Sequence, residues 1–335
     1  MDPVTQGALG GVVGLVVAGG RAHRRAAGFV GVVAGLLPDA DVFIRSARDP
    51  LLAIEYHRHF THAWIFQPVV AAVAVLLVVG VLGLFRRRPP AGALILPALL
   101  GALSHPFCDL WTSYGTRVWW PFAATREAFD WVSVIDPLVT LPLLAGLVGA
   151  LWRPGRRCWA VAALVWVGAY LALASVQQGR AREALGEHLA RAGVVPERLT
   201  VKPSFGNIIV WRGLWIAGGK VHAAAVRAGK EVTVREGESA ELVEAWESGG
   251  VQQRDFERFA HFSDRWLIRH PDDPEVIGDA RYAMLPDSLR PLWGIGVGGD
   301  PGEHVTWETF RGRDRGGFAR LWQMVLGAEG SGPAE

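Results

Sequence analysis

Most histidines and aspartates before residue 140 occur in a few short groups. These groups are Asp39 and Asp41 in "PDAD", His57, His59 and His62 in "HRHFTH", His105 and Asp109 in "HPFCD", and Asp130 and Asp136 in "DWVSVIDP". Imidazole nitrogens and carboxylate oxygens are ligands of zinc and similar divalent ions. Each group alone has an ordinary explanation, such as a turn or a helix cap, but together they predict a site for a divalent cation.

Spacing within the groups gives more specific expectations. His105 and Asp109 are four residues apart, so on a helix they share one face and can hold one ion. Asp136 has an alternative structural role as the N-cap of a following helix, with Pro137 in its first turn.

Long apolar runs before residue 177 must position these groups. The runs cover 3–20, 26–38, 63–85, 89–104, 137–152 and 158–176. A helix that crosses the hydrocarbon core needs about 20 apolar residues. The first two runs are short and contain Gly7, Gly10, Gly11 and Gly14, which predicts a tightly packed helical pair. The sequence therefore predicts a multi-pass α-helical membrane domain over residues 1–180, with about six helices.

The connections between the runs alternate in charge. Short basic connections lie at 21–25, 86–88 and 153–157, and longer mixed ones lie at 39–61 and 113–135. Basic short loops mark the cytoplasmic side, although arginines in loops can also be merely solvated. The topological interpretation places every histidine and aspartate group, and all residues after 177, on the extracytoplasmic face.

The composition changes after residue 177. A helix-like stretch is followed by alternating apolar and polar segments such as "NIIVWRGLWIAGG", "EVTVREG" and "RWLIRH". This pattern predicts an antiparallel, β-rich extramembrane domain over 195–327. The tail at 328–335 has the composition of a disordered segment.

Several motifs together are similar to one known family. "MDPVTQGALGG", "LLPDAD", "HRHFTHA", "LLGALSHPFCDLWTSYGTRVWWPF" and "DWVSVIDPL" resemble the YdjM-type family of bacterial inner-membrane proteins, which are regarded as metal-dependent hydrolases. The resemblance covers roughly residues 1–180, and "VIGDARYAMLPDSLRPLWGI" resembles the C-terminal region of longer members. It implies localisation in the inner (plasma) membrane and a helical fold distantly similar to that of zinc-dependent phospholipase C.

The resemblance also implies a set of site residues. The implied metal ligands are Asp41, His57, His62, His105 and Asp109, with Asp39 and Asp136 near them. This chain departs from the family in two places: Gln6 stands where a histidine is usual, and His59 replaces the glycine of the usual "HRGxTH". A compensating role of His59 as a ligand is left open.

The implied chemistry is hydrolysis assisted by a divalent metal, with Zn²⁺ as the expected ion. Asp39 or Asp136 is the expected general base, and Arg58 and Arg117 are candidate phosphate-binding residues. Both arginines have an equally plausible alternative as surface residues. The expected substrate is a phosphoester or lipid-like molecule, and membrane lipids are expected partners.

Two other functions stay open at this stage. One is a proton- or metal-coupled transporter, although the acids lie at predicted helix ends and not at mid-membrane. The other is a non-catalytic membrane scaffold with a structural metal. The chain contains no HExxH, GxSxG or Walker A motif, and its net charge of +2 gives no argument for nucleic-acid binding.

Overall fold

The computed structural model describes most of the chain and divides it into two compact units. The first unit comprises Met1–Ile44 and Tyr56–Ala174, and the second comprises Arg45–Glu55 and Ser175–Glu335. The described residues are 1–20, 23–86, 89–152, 157–247, 249–310 and 316–327. The predicted disordered tail at 328–335, and most of the basic connections at 86–88 and 153–157, lie outside the described residues.

Six helices of the first unit overlap the six predicted apolar runs. They are α1 (Pro3–Val17), α2 (Arg24–Leu36), α4 (Gln67–Leu84), α5 (Gly92–Leu110), α6 (Pro137–Trp152) and the first part of α7 (Cys158–Arg191). The short helix α3 (Leu52–Tyr56) lies in the loop between α2 and α4. Three 3₁₀ segments complete this part of the chain, at Leu37–Phe43, Phe60–His62 and Trp64–Phe66. The predicted helical character of the N-terminal half is thus confirmed.

Within the described residues, four helical stretches are long and apolar enough to cross a membrane. They are Arg24–Phe43, Trp64–Leu84, Gly92–Leu110 and Cys158–Arg191. Two further apolar helices, α1 and α6, are shorter. Large apolar side chains on the outside of the unit, such as Leu76 and Leu141, are more than half exposed. In lipid such a surface carries no hydrophobic penalty.

Helices α1 and α2 touch backbone to backbone. A Cβ added to Gly10 would lie 2.3 Å from the carbonyl oxygen of Gly31, and one added to Gly31 would lie 2.2 Å from that of Gly10. Helix α5 reaches the same point, since a Cβ on Gly101 would lie 2.9 Å from the Gly31 oxygen. Small residues at a crossing allow this approach. The start of α1 and the ends of α2 and α5 are therefore held close together.

The second unit contains two antiparallel four-stranded sheets, in the strand orders β1-β2-β3-β4 and β5-β6-β7-β8. Their strands are β1 (Arg198–Pro203), β2 (Val210–Ala217), β3 (Lys220–Ala228), β4 (Val232–Glu241), β5 (Leu267–His270), β6 (Asp273–Asp279), β7 (Trp293–Gly296) and β8 (Thr306–Thr309). Helix α8 (Gly250–Phe262) lies between the sheets in the chain, and α9 (Gly317–Leu326) follows the last strand. The β-rich region is confirmed, whereas the two helices were not predicted.

The hairpin between β2 and β3 shows how the sequence sets the register of the first sheet. Ala217 pairs with Lys220, which leaves Gly218 and Gly219 as a two-residue turn with φ of 58° and 73°. Such a turn requires positive φ at both positions, and glycine adopts it without strain. The alternating side chains of β2 and β3 then bury Leu214, Ile216 and Val221 in the core.

Candidate metal centre

Three element ends carry the predicted metal-binding groups. Asp39 and Asp41 lie in the 3₁₀ segment that follows α2, where Pro38 stands near the start of the segment. His62 ends the 3₁₀ segment Phe60–His62, and His105 and Asp109 occupy the last turns of α5. The approach of α1, α2 and α5 at their glycines brings these ends together.

Four side chains form what we call the deep group: Asp39, His62, His105 and Asp109. One ligand atom of each lies within 4.8 Å of all the others. The two imidazole Nε2 atoms are 2.9 Å apart, and each is 3.4 Å from Asp39 Oδ1. Asp109 Oδ2 is 3.2 Å from His62 Nε2. The side chains of His62, His105 and Asp109 are fully buried, whereas that of Asp39 is 20% exposed.

The deep group has the donor set of a divalent cation site. Asp39 Oδ1 and Asp109 Oδ2 are buried and make no hydrogen bond within the described part of the chain. Buried carboxylate oxygens are costly when they lack a partner. Two such oxygens and two imidazole nitrogens face one point, and this N₂O₂ set suits Zn²⁺. The residues present therefore fit the predicted ion.

Hydrogen bonds at the rear of the histidines orient them toward this point. His105 Nδ1 lies 2.6 Å from the carbonyl oxygen of Gly35, so Nδ1 carries the proton and Nε2 presents a lone pair. His62 Nδ1 lies 3.0 Å from Thr61 Oγ1 and 3.3 Å from Asp41 Oδ2. A carboxylate behind a ligating imidazole is a common arrangement at metal sites.

A second set, the shallow group, comprises Asp39, Asp41 and His57. His57 Nδ1 is 2.9 Å from Asp41 Oδ1, and the His57 side chain is 32% exposed. Asp41 Oδ2 accepts the main-chain N–H of Arg58 at 2.9 Å and the hydroxyl of Thr61 at 3.1 Å. Asp41 thus belongs to the shallow group and also braces the histidine segment. Asp39 belongs to both groups.

Arg58 lies behind the deep group. Its Nη2 is 3.1 Å from Asp109 Oδ1, and its Nη1 donates to Thr112 Oγ1 at 3.0 Å. The guanidinium lies over the Tyr114 ring, and the residue is 3% exposed with φ of 60°. In this arrangement the guanidinium balances the charge of Asp109. Thr112 and Tyr114 were missed from the sequence, because neither residue type alone signals a role behind a ligand.

Arg117 is half-buried, and its main-chain N–H donates to the carbonyl of Arg58 at 3.0 Å. The substrate-binding roles of both arginines stay predictions. His59 packs against the rings of Tyr56 and Trp120, with centroids at 5.4 Å in each case. His59 is in neither the deep nor the shallow group.

Asp136 is placed in the helix-capping role rather than with the other acids. Its Oδ1 accepts the N–H of Leu138 at 2.9 Å, and its Oδ2 accepts the Tyr170 hydroxyl at 2.9 Å. Burial raises the pKa of Asp136 by more than these hydrogen bonds lower it. Asp136 belongs to neither the deep nor the shallow group. Its predicted catalytic role therefore has no geometric support among the described contacts.

Gln6, the departure noted in the sequence, lies at the deep group. Its Nε2 donates to Asp109 Oδ1 at 2.9 Å and lies 3.2 Å from His105 Nε2. The amino nitrogen of Met1 contacts the same carboxylate oxygen. Asp109 therefore uses Oδ1 for contacts within the protein and directs Oδ2 toward the histidines.

Metal affinity is expected to fall as the pH falls. Burial lowers the pKa of His62, but the nearby carboxylates of Asp109, Asp39 and Asp41 together raise it by more, so the pKa lies above its usual range. The metal-free site thus retains a proton to a higher pH than an exposed histidine, and a cation must displace it. Below that raised pKa, affinity should fall about tenfold per pH unit for one displaced proton. Calorimetric titration of Zn²⁺ at several pH values tests this, and a flat profile between pH 6 and 8 contradicts it.

These observations define the first unit as a helical membrane domain with a buried histidine–aspartate centre at converging helix ends. The model of the family described as YdjM inner membrane protein matches residues 1–181, more than half of the chain. The chain belongs to this family. The resemblance seen in the sequence is confirmed, and so is localisation in a membrane.

One curated relative shows a similarity over a shorter region. The chain is 29% identical over 150 residues to a protein of Bacillus subtilis (strain 168) described as "Uncharacterized protein YfhP". The aligned region is 44% of this chain, and the chain spans 44% of the length of that relative. No solved structure matches the chain.

Proposed function

We propose that this protein is a membrane-bound, metal-dependent hydrolase that acts on a phosphoester or lipid-like substrate. The observation that supports it best is the deep group, in which two buried carboxylate oxygens face two imidazole nitrogens and have no hydrogen-bond partner among the described residues. The family membership supports the membrane setting. A distant relationship to the fold of zinc-dependent phospholipase C is part of this proposal.

A divalent cation held by the deep group would supply Lewis acidity, which polarises a scissile ester and makes water a better nucleophile at neutral pH. The protein side chains divide the remaining work. His62, His105 and Asp109 are buried and would hold the cation in place. Asp39 is the partly exposed acid of the group, so it can accept a proton from an attacking water. Asp136 is a weaker candidate base because both of its oxygens accept hydrogen bonds.

A non-catalytic role with a structural metal is the second candidate. It is favoured by the complete burial of three of the four side chains in the deep group. A structural ion is closed to solvent, whereas a catalytic ion keeps an open position. The exposure of Asp39 and His57 favours the catalytic role. A transporter is less well supported, because the acids lie at helix ends.

The hydrolase proposal is tested by screening the purified, Zn²⁺-loaded protein against phosphomonoesters, phosphodiesters and phospholipids. Asp39→Asn should lower turnover of a responsive substrate by about 10²–10⁴-fold, the range for a general base. Asp136→Asn, the same change at an aspartate outside both groups, should leave turnover within a few-fold of wild type. Full Zn²⁺ loading without turnover of any substrate class would favour the structural-metal role instead.

We further propose that the metal centre and the second unit lie on the extracytoplasmic face. The proposal rests on the basic connections at 21–25, 86–88 and 153–157. Alkaline phosphatase fused after residue 335 should be active, and a fluorescent protein at the same position should be dark. The opposite pair of results would reverse the orientation. The assembly of the metal centre would be unaffected, because it depends on which helix ends meet.

A further inference from the structure

The loop between the two ligand segments belongs to the second unit. The chain leaves the first unit at Ile44, three residues after Asp41, and returns to it at Tyr56, immediately before His57. The intervening residues 45–55 group with the second unit. Contacts that fix the conformation of this loop therefore restrict, through the covalent chain, the positions of Asp41 and His57 in the shallow group.

One arginine of helix α8 holds the loop at two points. Arg258 Nη1 and Nη2 donate to Asp49 Oδ1 and Oδ2 at 3.1 and 3.0 Å, a bidentate pair. Its Nε and Nη2 donate to Glu55 Oε2 at 3.2 and 2.7 Å. Bidentate carboxylate pairs of this kind are among the stronger and more directional hydrogen bonds in proteins. Glu55 is two residues before His57.

The Arg258 side chain is itself held by further contacts within the second unit. Its Nη1 also donates to Asp255 Oδ1 at 2.9 Å, and Asp255 is 1% exposed. The other oxygen of Asp255 accepts from His304 Nδ1 at 2.7 Å and from the N–H of Val305 at 3.2 Å. The side chain of Leu51, in the middle of the loop, is also buried. These contacts fix the orientation of the Arg258 guanidinium, which is therefore not a mobile surface charge.

The acids around Arg258 do not form a cation site in addition to the deep and shallow groups. Asp49, Asp255 and His304 have the spacing of metal ligands, but the guanidinium already neutralises both carboxylates. Burial raises the pKa of Asp49, yet the hydrogen bonds and charge of Arg258, with the N–H of Leu51, together lower it by more, so Asp49 stays ionised and paired. The cluster therefore serves to fix the loop.

We propose that Arg258 is a positioning residue for the shallow group, acting through residues 45–55. This inference rests on the metal centre in the proposed function. Fixing Asp49 and Glu55 restricts the conformations of the loop, so that Asp41 and His57 meet without first ordering a free segment. Loss of the clamp should weaken the shallow group and leave the deep group intact, since His62, His105 and Asp109 are not adjacent to the loop ends.

The test uses the full-length protein in detergent, with Arg258→Met and with the double variant Asp49→Asn/Glu55→Gln, which keeps the arginine. The control is Arg265→Met, which removes an exposed arginine paired with Glu257 near the end of the same helix. Hydrogen exchange of residues 45–57 is measured without metal, and Co²⁺ binding is followed by its visible spectrum. Thermal unfolding reports whether each variant is folded.

We expect exchange in 45–57 to rise at least tenfold in both clamp variants and to be unchanged in the control. The weaker phase of the Co²⁺ titration, which we assign to the shallow group, should weaken in affinity by about tenfold or more, the usual effect of losing a residue that orients a ligand. The tighter phase, which we assign to the deep group, should keep its affinity. Arg258→Lys keeps the charge but not the bidentate geometry, so it should restore the weaker phase only in part.

If the Arg258→Met protein is folded and hydrogen exchange in residues 45–57 is unchanged, Arg258 does not fix the loop and the proposal is overturned. Raised exchange with a wild-type Co²⁺ titration would show that the loop does not position the shallow group, and it too overturns the proposal. Wild-type protein that binds no Co²⁺ would instead remove the metal centre on which both proposals stand.

Discussion

His105→Ala is expected to remove tightly bound metal from the protein. His105 is fully buried, and its Nε2 lies within 3.4 Å of His62 Nε2 and Asp39 Oδ1. Its Nδ1 lies 2.6 Å from the carbonyl oxygen of Gly35, and this bond aligns the ring. Loss of a residue behind a ligand typically lowers metal affinity by about 10–100-fold, so loss of the ligand itself should exceed about 100-fold.

The measurement is metal per protein by mass spectrometry, combined with a competitive chelator titration. His23→Ala is the matched control, because His23 precedes α2 at the end of the helix opposite Asp39 and Asp41. Asp109→Ala should behave like His105→Ala, with an added loss of stability because Arg58 loses its buried partner. If both variants are membrane-inserted and retain the wild-type metal content, the deep group is not the metal site.

Gly31→Leu is expected to prevent assembly of the first unit. A single added carbon at Gly31 already lies 2.2 Å from the Gly10 carbonyl oxygen, which is backbone and cannot rotate away. The helices must then separate, and the ends that carry Gln6, Asp39 and His105 separate with them. Gly31→Ala should cost about 1–3 kcal/mol, the usual range for overpacking, and leucine should cost more.

Thermal unfolding in detergent measures the effect on stability, and metal content measures the effect on the centre. Gly80→Leu is the matched control, because a Cβ at Gly80 of α4 meets no atom within 4 Å. The control should unfold within a few degrees of wild type and retain its metal. A Gly31→Leu protein that does the same would mean that the close crossing of α1 and α2 is not needed for the fold.

The elements of both units could be predicted because their signals are local. Apolar runs of membrane length mark the helices, and alternation bounded by glycine marks β2, β3 and β4. Helix α8 was missed, although it has one strongly apolar face. Its apolar residues, among them Phe256 and Phe259, stand in a run of charged residues that reads as solvated loop.

The site was predictable to the level of segments. Counting helices was enough to place the groups around Asp41, His57 and His105 on one face. The separate roles of Asp39 and Asp41 within one segment were not predictable, because they depend on the directions of the two side chains in a 3₁₀ turn. The structure directs Asp39 at both histidines of the deep group and uses Asp41 largely to brace the loop. From the sequence, Asp41 was the expected ligand and Asp39 the expected base.

The role of residues 45–55 could not be predicted from the sequence. Nothing within that loop indicates that it belongs with residues two hundred positions later. The partner of Asp49 and Glu55 is Arg258, and such a long-range pair has no periodicity to reveal it. Contacts of this type are set by tertiary structure alone.

The backbone of Arg58 makes the centre interdependent. A non-glycine residue with φ of 60° is about 1–2 kcal/mol less favourable than in its usual conformation. Asp41 holds its N–H, and Asp109 holds its guanidinium, so two ligand-segment carboxylates maintain one strained turn between His57 and His62. Substitutions at these positions should therefore show epistasis. Glycine at position 58, neutral in this conformation, would be tolerated best in chains that have already lost one of the two acids.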